Sequence, residues 1–200
     1  MQLPRFDRSD FRATQVLLVL LSVSTIAFEL VVPLVRWVRG APLRTTVDAD
    51  GSHPLGDVVA RAGAAVRSDG TLRVRLDDAS TGTWLATLLP GLVIAVGVGV
   101  ACVLLLLLIR RIEAGSPFVV ASTRTFRALG ILSFSGGLLL SLSQAHADSV
   151  VIDRAVAEGV AGGFTVGFPF TPFLVALLLL ALAEVFERGE QLQADVEGLV

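Results

Sequence analysis

Residues 84–109 read WLATLLPGLVIAVGVGVACVLLLLLI, 26 positions without one charged side chain. The hydrocarbon core of a bilayer is about 30 Å thick and an α-helix rises about 1.5 Å per residue, so roughly 20 apolar residues cross it. Three more stretches read the same way: Ala13–Val38, Phe126–Ala147 and Thr171–Phe186. The last reaches the needed length only when Phe168 and Phe170 also lie at membrane depth. The expected fold is an all-α membrane protein with four transmembrane helices, over about 13–38, 84–109, 126–147 and 168–187. A small extracytoplasmic α/β or β-hairpin insertion is expected at 39–83, a cytoplasmic loop at 110–125 and an acidic helical tail at 188–200.

Composition points to the lipid bilayer as the first partner. The 200 residues are 54% hydrophobic with a mean hydropathy of +0.76, above the apolar share of an ordinary soluble domain. All 16 basic residues are arginines and the net charge is −2. They are scattered and form no groove-reading element, so no direct nucleic-acid partner is expected. The lone Cys102 sits among Val and Leu of the second span; it has no intrachain disulfide partner and reads as a small packing residue. The first apolar run follows Arg5, Arg8 and Arg12 but ends in Pro33-Leu-Val-Arg-Trp-Val-Arg39 with no small-x-small cleavage site. It is read as a retained helix and not a signal peptide.

Arginine totals do not orient the chain, because eight fall on each side for either choice. Their density does: seven are spread from Arg36 to Arg75, while Arg110, Arg111, Arg124 and Arg127 crowd the second loop and Arg154 stands alone in the third. By the positive-inside rule the second loop and both termini are cytoplasmic. Trp37 and Trp84 then close the first span and open the second at one interface.

In the first outer loop, Leu43, Thr45 and Val47 alternate with Arg44, Thr46 and Asp48, and Leu72, Val74 and Leu76 alternate with Arg73, Arg75 and Asp77. This period of two predicts a pair of strands, with turn signals at Asp50-Gly51 and Asp69-Gly70. Leu55–Val66, with Val58, Val59, Ala62 and Val66 on one side, predicts a short helix. After the second span, Gly115 reads as a helix end and Ser116-Pro117 as a new start. The third loop, Asp148–Phe170, is Gly-rich and reads as a flexible connection; its 162–167 glycines lack the basic residue of a nucleotide loop.

Glu29 is the one carboxylate inside the first span. Charge at membrane depth costs several kcal/mol on insertion scales (~3), so such residues commonly face a bundle interior and serve function. Ser141, Gln144 and His146, toward the end of the third span, complete a candidate intramembrane polar site. A structural reading stands beside it, with Glu29 hydrogen-bonded to a carbonyl or a Ser. Gly130, Ser133, Gly137, Ser141 and Gln144 recur at three- or four-residue spacing, and Gly91, Ala95, Gly97, Gly99 and Cys102 line the second span. Such small-residue faces let helices approach closely. His53 and His146 lack ligand spacing, and no nucleophile elbow exists. No metal, cofactor or catalytic residue is expected.

The fourth span runs on into Glu187-Arg-Gly-Glu-Gln-Leu-Gln-Ala-Asp-Val-Glu197, where Leu192, Val196 and Leu199 form an apolar stripe on an acidic helix. Arg124, Arg127, Glu187, Glu190, Leu192, Asp195, Val196 and Glu197 are the candidate partner-docking residues. A solvated helix end is the plainer alternative.

Two segments taken together, Gly115-Ser-Pro-Phe118 with Arg127-Ala-Leu-Gly-Ile131, and the ending from Leu182 with its Val185-Phe-x-x-Gly189-x-x-Leu192 pattern, resemble a bacterial family of four-helix membrane proteins, DUF2975. The resemblance spans the topology, although its distinctive residues lie at the inner face. Members are often encoded beside a short Xre-type helix-turn-helix regulator, which implies a small cytoplasmic DNA-binding partner. The function expected is that of a non-enzymatic regulatory membrane protein. A small proton- or cation-coupled transporter or channel subunit, or a structural protein that forms homo-oligomers, are the alternatives.

Overall fold

The computed structural model describes residues 8–47, 59–60, 64–68, 72–113, 120–158 and 166–197. Among these, four helical stretches are long and apolar enough to cross a membrane: Phe11–Val38, Thr81–Glu113, Ser122–Ala155 and Phe170–Gly189. The elements are α1 (Arg8–Ile26), a π turn (Ala27–Val31), α2 (Val32–Val38), β1 (Leu43–Val47), β2 (Val59–Ala60), β3 (Ala64–Ser68), β4 (Leu72–Leu76), α3 (Thr81–Glu113), α4 (Val120–Ala155), β5 (Val156–Glu158) and α5 (Phe170–Glu197). They divide into two compact units.

The sheet-bearing unit comprises 27–94 and 139–168. Its first helical segment is widened at Ala27–Val31 for a reason visible in the sequence. Pro33 has no N–H to give the carbonyl of Glu29, and its ring collides with that carbonyl in a regular helix. A single π turn is a common way to absorb such a conflict. α2 ends in a Schellman closure: Gly40, at φ 65°, donates to the Trp37 carbonyl at 2.9 Å and Ala41 to the Arg36 carbonyl at 3.0 Å.

β1, β4 and β3 form an antiparallel sheet in that order, with Leu43 opposite Leu76 and Thr45 opposite Val74. One face places Leu43, Val74 and Leu76 in a core with Trp84, Val151, Ile152, Ala155 and Val156, and Trp37 packs on its edge. Trp37 stacks on Trp84 with centroids 6.4 Å apart. The other face carries exposed Arg44, Arg73 and Arg75, and Arg75 pairs with Asp77 at 2.8 Å.

Two expectations are corrected here. The helix anticipated over Leu55–Val66 is not formed where the chain is described: Val59–Ala60 and Ala64–Ser68 are strands, so the sheet has three strands and not two. β3 zips onto β4 from Ala64↔Leu76 to Ser68↔Leu72, and cross-strand pairing outweighs a helical spacing of four apolar residues. The third connection is also more ordered than read. α4 continues through Ala155 and β5 pairs with β2, because Val151, Ile152, Ala155 and Val156 are core residues of this unit. The turn signals at 50–51 and 69–70, His53 and the glycines at 162–163 lie outside the described residues, as do Gly115-Ser116-Pro117 and the first seven positions.

The other unit comprises 1–26, 95–138 and 169–200. Here α4 meets α5 along the small-residue face. Ser133 donates to the Pro172 carbonyl at 3.0 Å, Gly130 lies against Ala176 and Leu180, and Gly137 lies against the Pro172 ring. Phe134 meets Phe173 edge-on, centroids 6.0 Å apart. Gly97 and Gly99 of α3 face nothing within 4 Å, whereas Ala95 of the same small-residue run is buried. α5 runs unbroken through Glu197.

Candidate functional site

The sheet-bearing unit holds a cavity of about 300 Å³ lined by Thr45 and Thr46 of β1, Thr87 and Pro90 of α3, and Gln144, Ala147, Asp148 and Val151 of α4. Its walls carry three hydroxyls, an amide and a carboxyl, in the same unit as a core of Leu, Val, Ile, Ala and Trp. Thr87 donates to the Trp84 carbonyl at 3.0 Å, which leaves its oxygen able to accept. Pro90 leaves the Ala86 carbonyl without its helical donor. Gln144 and Asp148 are one helical turn apart on one face of α4, which aims both at the same space. Such a lining suits a small polar ligand held by hydrogen bonds.

Of the intramembrane polar residues named from sequence, Gln144 lines this cavity and Glu29 does not. Glu29 lies on the π turn. Its main chain is pressed against α3 at Gly91, where any Cβ would overlap the Glu29 carbonyl. Its side chain is exposed, like those of Gln144 and His146, while Ser141 is half-buried. Gly91 follows Pro90, and Pro90 shares the cavity wall with Gln144. No hydrogen bond joins Glu29 to Ser141, Gln144 or His146 among the described residues. Thr45, Thr46, Thr87 and Asp148 were missed from sequence; the available signal was Thr87 beside Pro90 in an apolar run, and Asp148 four residues after Gln144.

In the other unit, two of the residues assigned to docking are bonded to each other. Arg127 Nη2 and Glu187 Oε2 lie 2.6 Å apart, with half and about a third of their side chains exposed. Phe126 and Phe186 pack beside them at 4.9 Å. Arg111 donates to Thr125 Oγ1 at 3.1 Å, and Gln15 donates to Glu113 at 3.1 Å. Ser122 is fully buried, and among the described residues its hydroxyl has no hydrogen-bond partner. Arg124 is exposed. Glu190, Leu192, Asp195, Val196 and Glu197 lie on α5, and their side chains are outside the described set. Among the described residues no three His, Cys, Asp or Glu side chains gather as metal ligands. Compared with protein-family models, curated proteins and solved structures, the chain matches none.

Proposed function

We propose that this chain is a multi-pass protein of a bacterial inner membrane, with both termini cytoplasmic, that regulates without catalysing. It answers a small polar ligand at the outer side and holds a small cytoplasmic DNA-binding regulator of the Xre type at the inner side. The observation that carries the reading is the polar cavity at the junction of the sheet with α3 and α4. α3 and α4 each continue as single helices from the cavity to the arginine-rich segment at 110–127. A ligand shifts such a pair of helices only as far as it binds one arrangement better than the other.

The docking surface in this proposal combines Arg124 with the Arg127–Glu187 pair and the acidic helix from Glu184 to its end. The test is co-purification from detergent of the regulator encoded beside the gene, comparing the full chain with one that ends at Arg188. The full chain retains the regulator and the truncated chain loses it. Equal recovery, or recovery by neither, removes the docking proposal. Flux in proteoliposomes that Glu29→Gln abolishes would replace regulation with transport.

A further inference from the structure

We infer that the arginine face of the sheet binds the headgroups of anionic phospholipids in the leaflet around it. The inference rests on the membrane insertion proposed above. Charge comes first. β1, β3 and β4 hold four arginines and neither Asp nor Glu. The register sets Arg44 opposite Arg75 and Arg67 opposite Arg73. Like charges directly across an antiparallel ladder destabilise it, so two rungs of this sheet oppose its own pairing. Arg44 and Arg73 are exposed, and neither has a hydrogen bond or ion pair among the described residues. Arg75 has Asp77, in a pair that stays about half exposed and neutralises one guanidinium only. An anion from outside the chain removes the repulsion that the strands leave standing.

Placement comes second. The opposite face of the sheet packs on Trp84 of α3 and on Val151, Ile152 and Ala155 of α4. β1 also borders the same cavity as Thr87 and Pro90, which follow Trp84 in α3. The sheet therefore stands beside these helices, and its arginine face is the one turned away from them. Apolar side chains stay exposed up to the same place: Val38 is 80% exposed and Leu85 55%, and β1 begins five residues after Val38. Hydrocarbon thus reaches the point where the chain enters the sheet, and headgroups form the next layer, about 5–8 Å deep. Arginine stems lie along apolar surface while their guanidinium groups reach out of it.

Complementarity comes third. A guanidinium donates in a fixed fork that matches phosphate oxygens. Neighbouring strands lie about 4.8 Å apart, and alternate residues of one strand about 7 Å apart. Arg44, Arg73 and Arg75 are therefore close enough to share one phosphodiester or to hold two adjacent ones. A zwitterionic headgroup brings a cation of its own to this face, which restores the repulsion. An anionic headgroup does not, so the face selects for net negative charge.

The test places the full-length chain in lipid nanodiscs and follows its thermal unfolding. Threonine keeps the strand preference of the positions it replaces. In phosphatidylcholine discs, Arg44→Thr or Arg73→Thr raises the midpoint, because a like-charge rung is gone. In discs rich in phosphatidylglycerol the same changes lower it. In mixed micelles each change weakens retention of phosphatidylglycerol about fivefold, the share of one arginine at a charged membrane surface. Arg110→Gln, in the other arginine-rich stretch of the chain, leaves the reversal of sign intact. Shifts of the same sign in both lipids overturn the inference and make the face a solvated one. Soluble glycerol phosphate or polyglutamate that raises the wild-type midpoint in phosphatidylcholine discs as far as phosphatidylglycerol does also overturns it, and assigns the face to a water-borne anion. Recovery of the chain in solution without detergent or lipid would defeat the membrane reading itself, an outcome seen before any variant is compared.

Discussion

The two units of this protein bring helices together in different ways. In the sheet-bearing unit, α3 approaches the first span main chain to main chain: Gly91 meets the carbonyl that Pro33 has displaced at Glu29. In the other unit, α4 approaches α5 less closely and largely through side chains: a proline ring at Gly137, a serine hydroxyl at Ser133, and at Gly130 both Leu180 and the Ala176 carbonyl, each 3.2 Å from a Cβ built there. A leucine or serine side chain can rotate away from an intruding methyl, and a proline near a helix start can shift with it, whereas a carbonyl held in a π turn cannot. The difference predicts where the molecule tolerates change, and five substitutions examine it.

Gly91→Ala is the largest. Its Cβ would overlap the Glu29 carbonyl oxygen and lie 3.0 Å from the carbonyl carbon. Overpacking a fitted contact costs roughly 1–3 kcal/mol and more where nothing can move, so a loss of at least about 3 kcal/mol is expected here. Thermal unfolding in a mild detergent measures it. A variant as stable as the wild type would mean that the two segments do not touch main chain to main chain. Gly137→Ala follows. A Cβ there would sit 2.5 Å from Pro172 Cβ and 2.7 Å from Cγ. The ring is stiff, but it lies near the start of α5 and can shift with it. A loss of about 1–2 kcal/mol is expected, clearly smaller than at Gly91. Equality of the two would erase the contrast between units.

The same contrast explains what could be read beforehand. The apolar runs announced the long helices because length and hydropathy alone decide that question. β1 and β4 were legible from strict alternation, and the face of Gly130, Ser133 and Gly137 from its spacing. Pro33 was visible in the sequence, yet the π turn depends on how Glu29 answers the missing donor, which is a matter of packing. β3 was hidden because Val58, Val59, Ala62 and Val66 happen to share helical spacing. β5, three residues long, exists only through its pairing with β2. The cavity is half legible: Gln144 stands out within an apolar span, whereas Asp148 reads as the first residue of a loop. Thr45 and Thr46 reach the cavity through the placement of β1, and no local pattern encodes that.

Removing the Arg127–Glu187 pair sharpens the comparison from the side-chain end. Both groups are partly exposed, and exposed ion pairs contribute about 0–1 kcal/mol. Arg127→Gln should therefore leave the unfolding midpoint almost unchanged, while regulator recovery falls if this surface docks it. A change of several degrees in the midpoint would make the pair structural and not a recognition feature.

The last effect has the opposite sign. Gly97 and Gly99 lie inside α3 with nothing within 4 Å of a Cβ built on either. Glycine in a helix interior is less favourable than alanine by roughly 0.5–1 kcal/mol. With no contact to disturb, Gly97→Ala and Gly99→Ala should each raise stability by about that amount. The increments should be additive with one another's background of intact α4–α5 packing, since neither position touches it. Destabilisation by either would show that something absent from the isolated chain approaches α3 there, such as a second copy or another membrane helix. Disulfide mapping from position 97 in the Cys102→Ala background would then identify it. Glycines of one helix thus separate into a residue held by its neighbour at 91 and two at 97 and 99 that report whether any neighbour arrives.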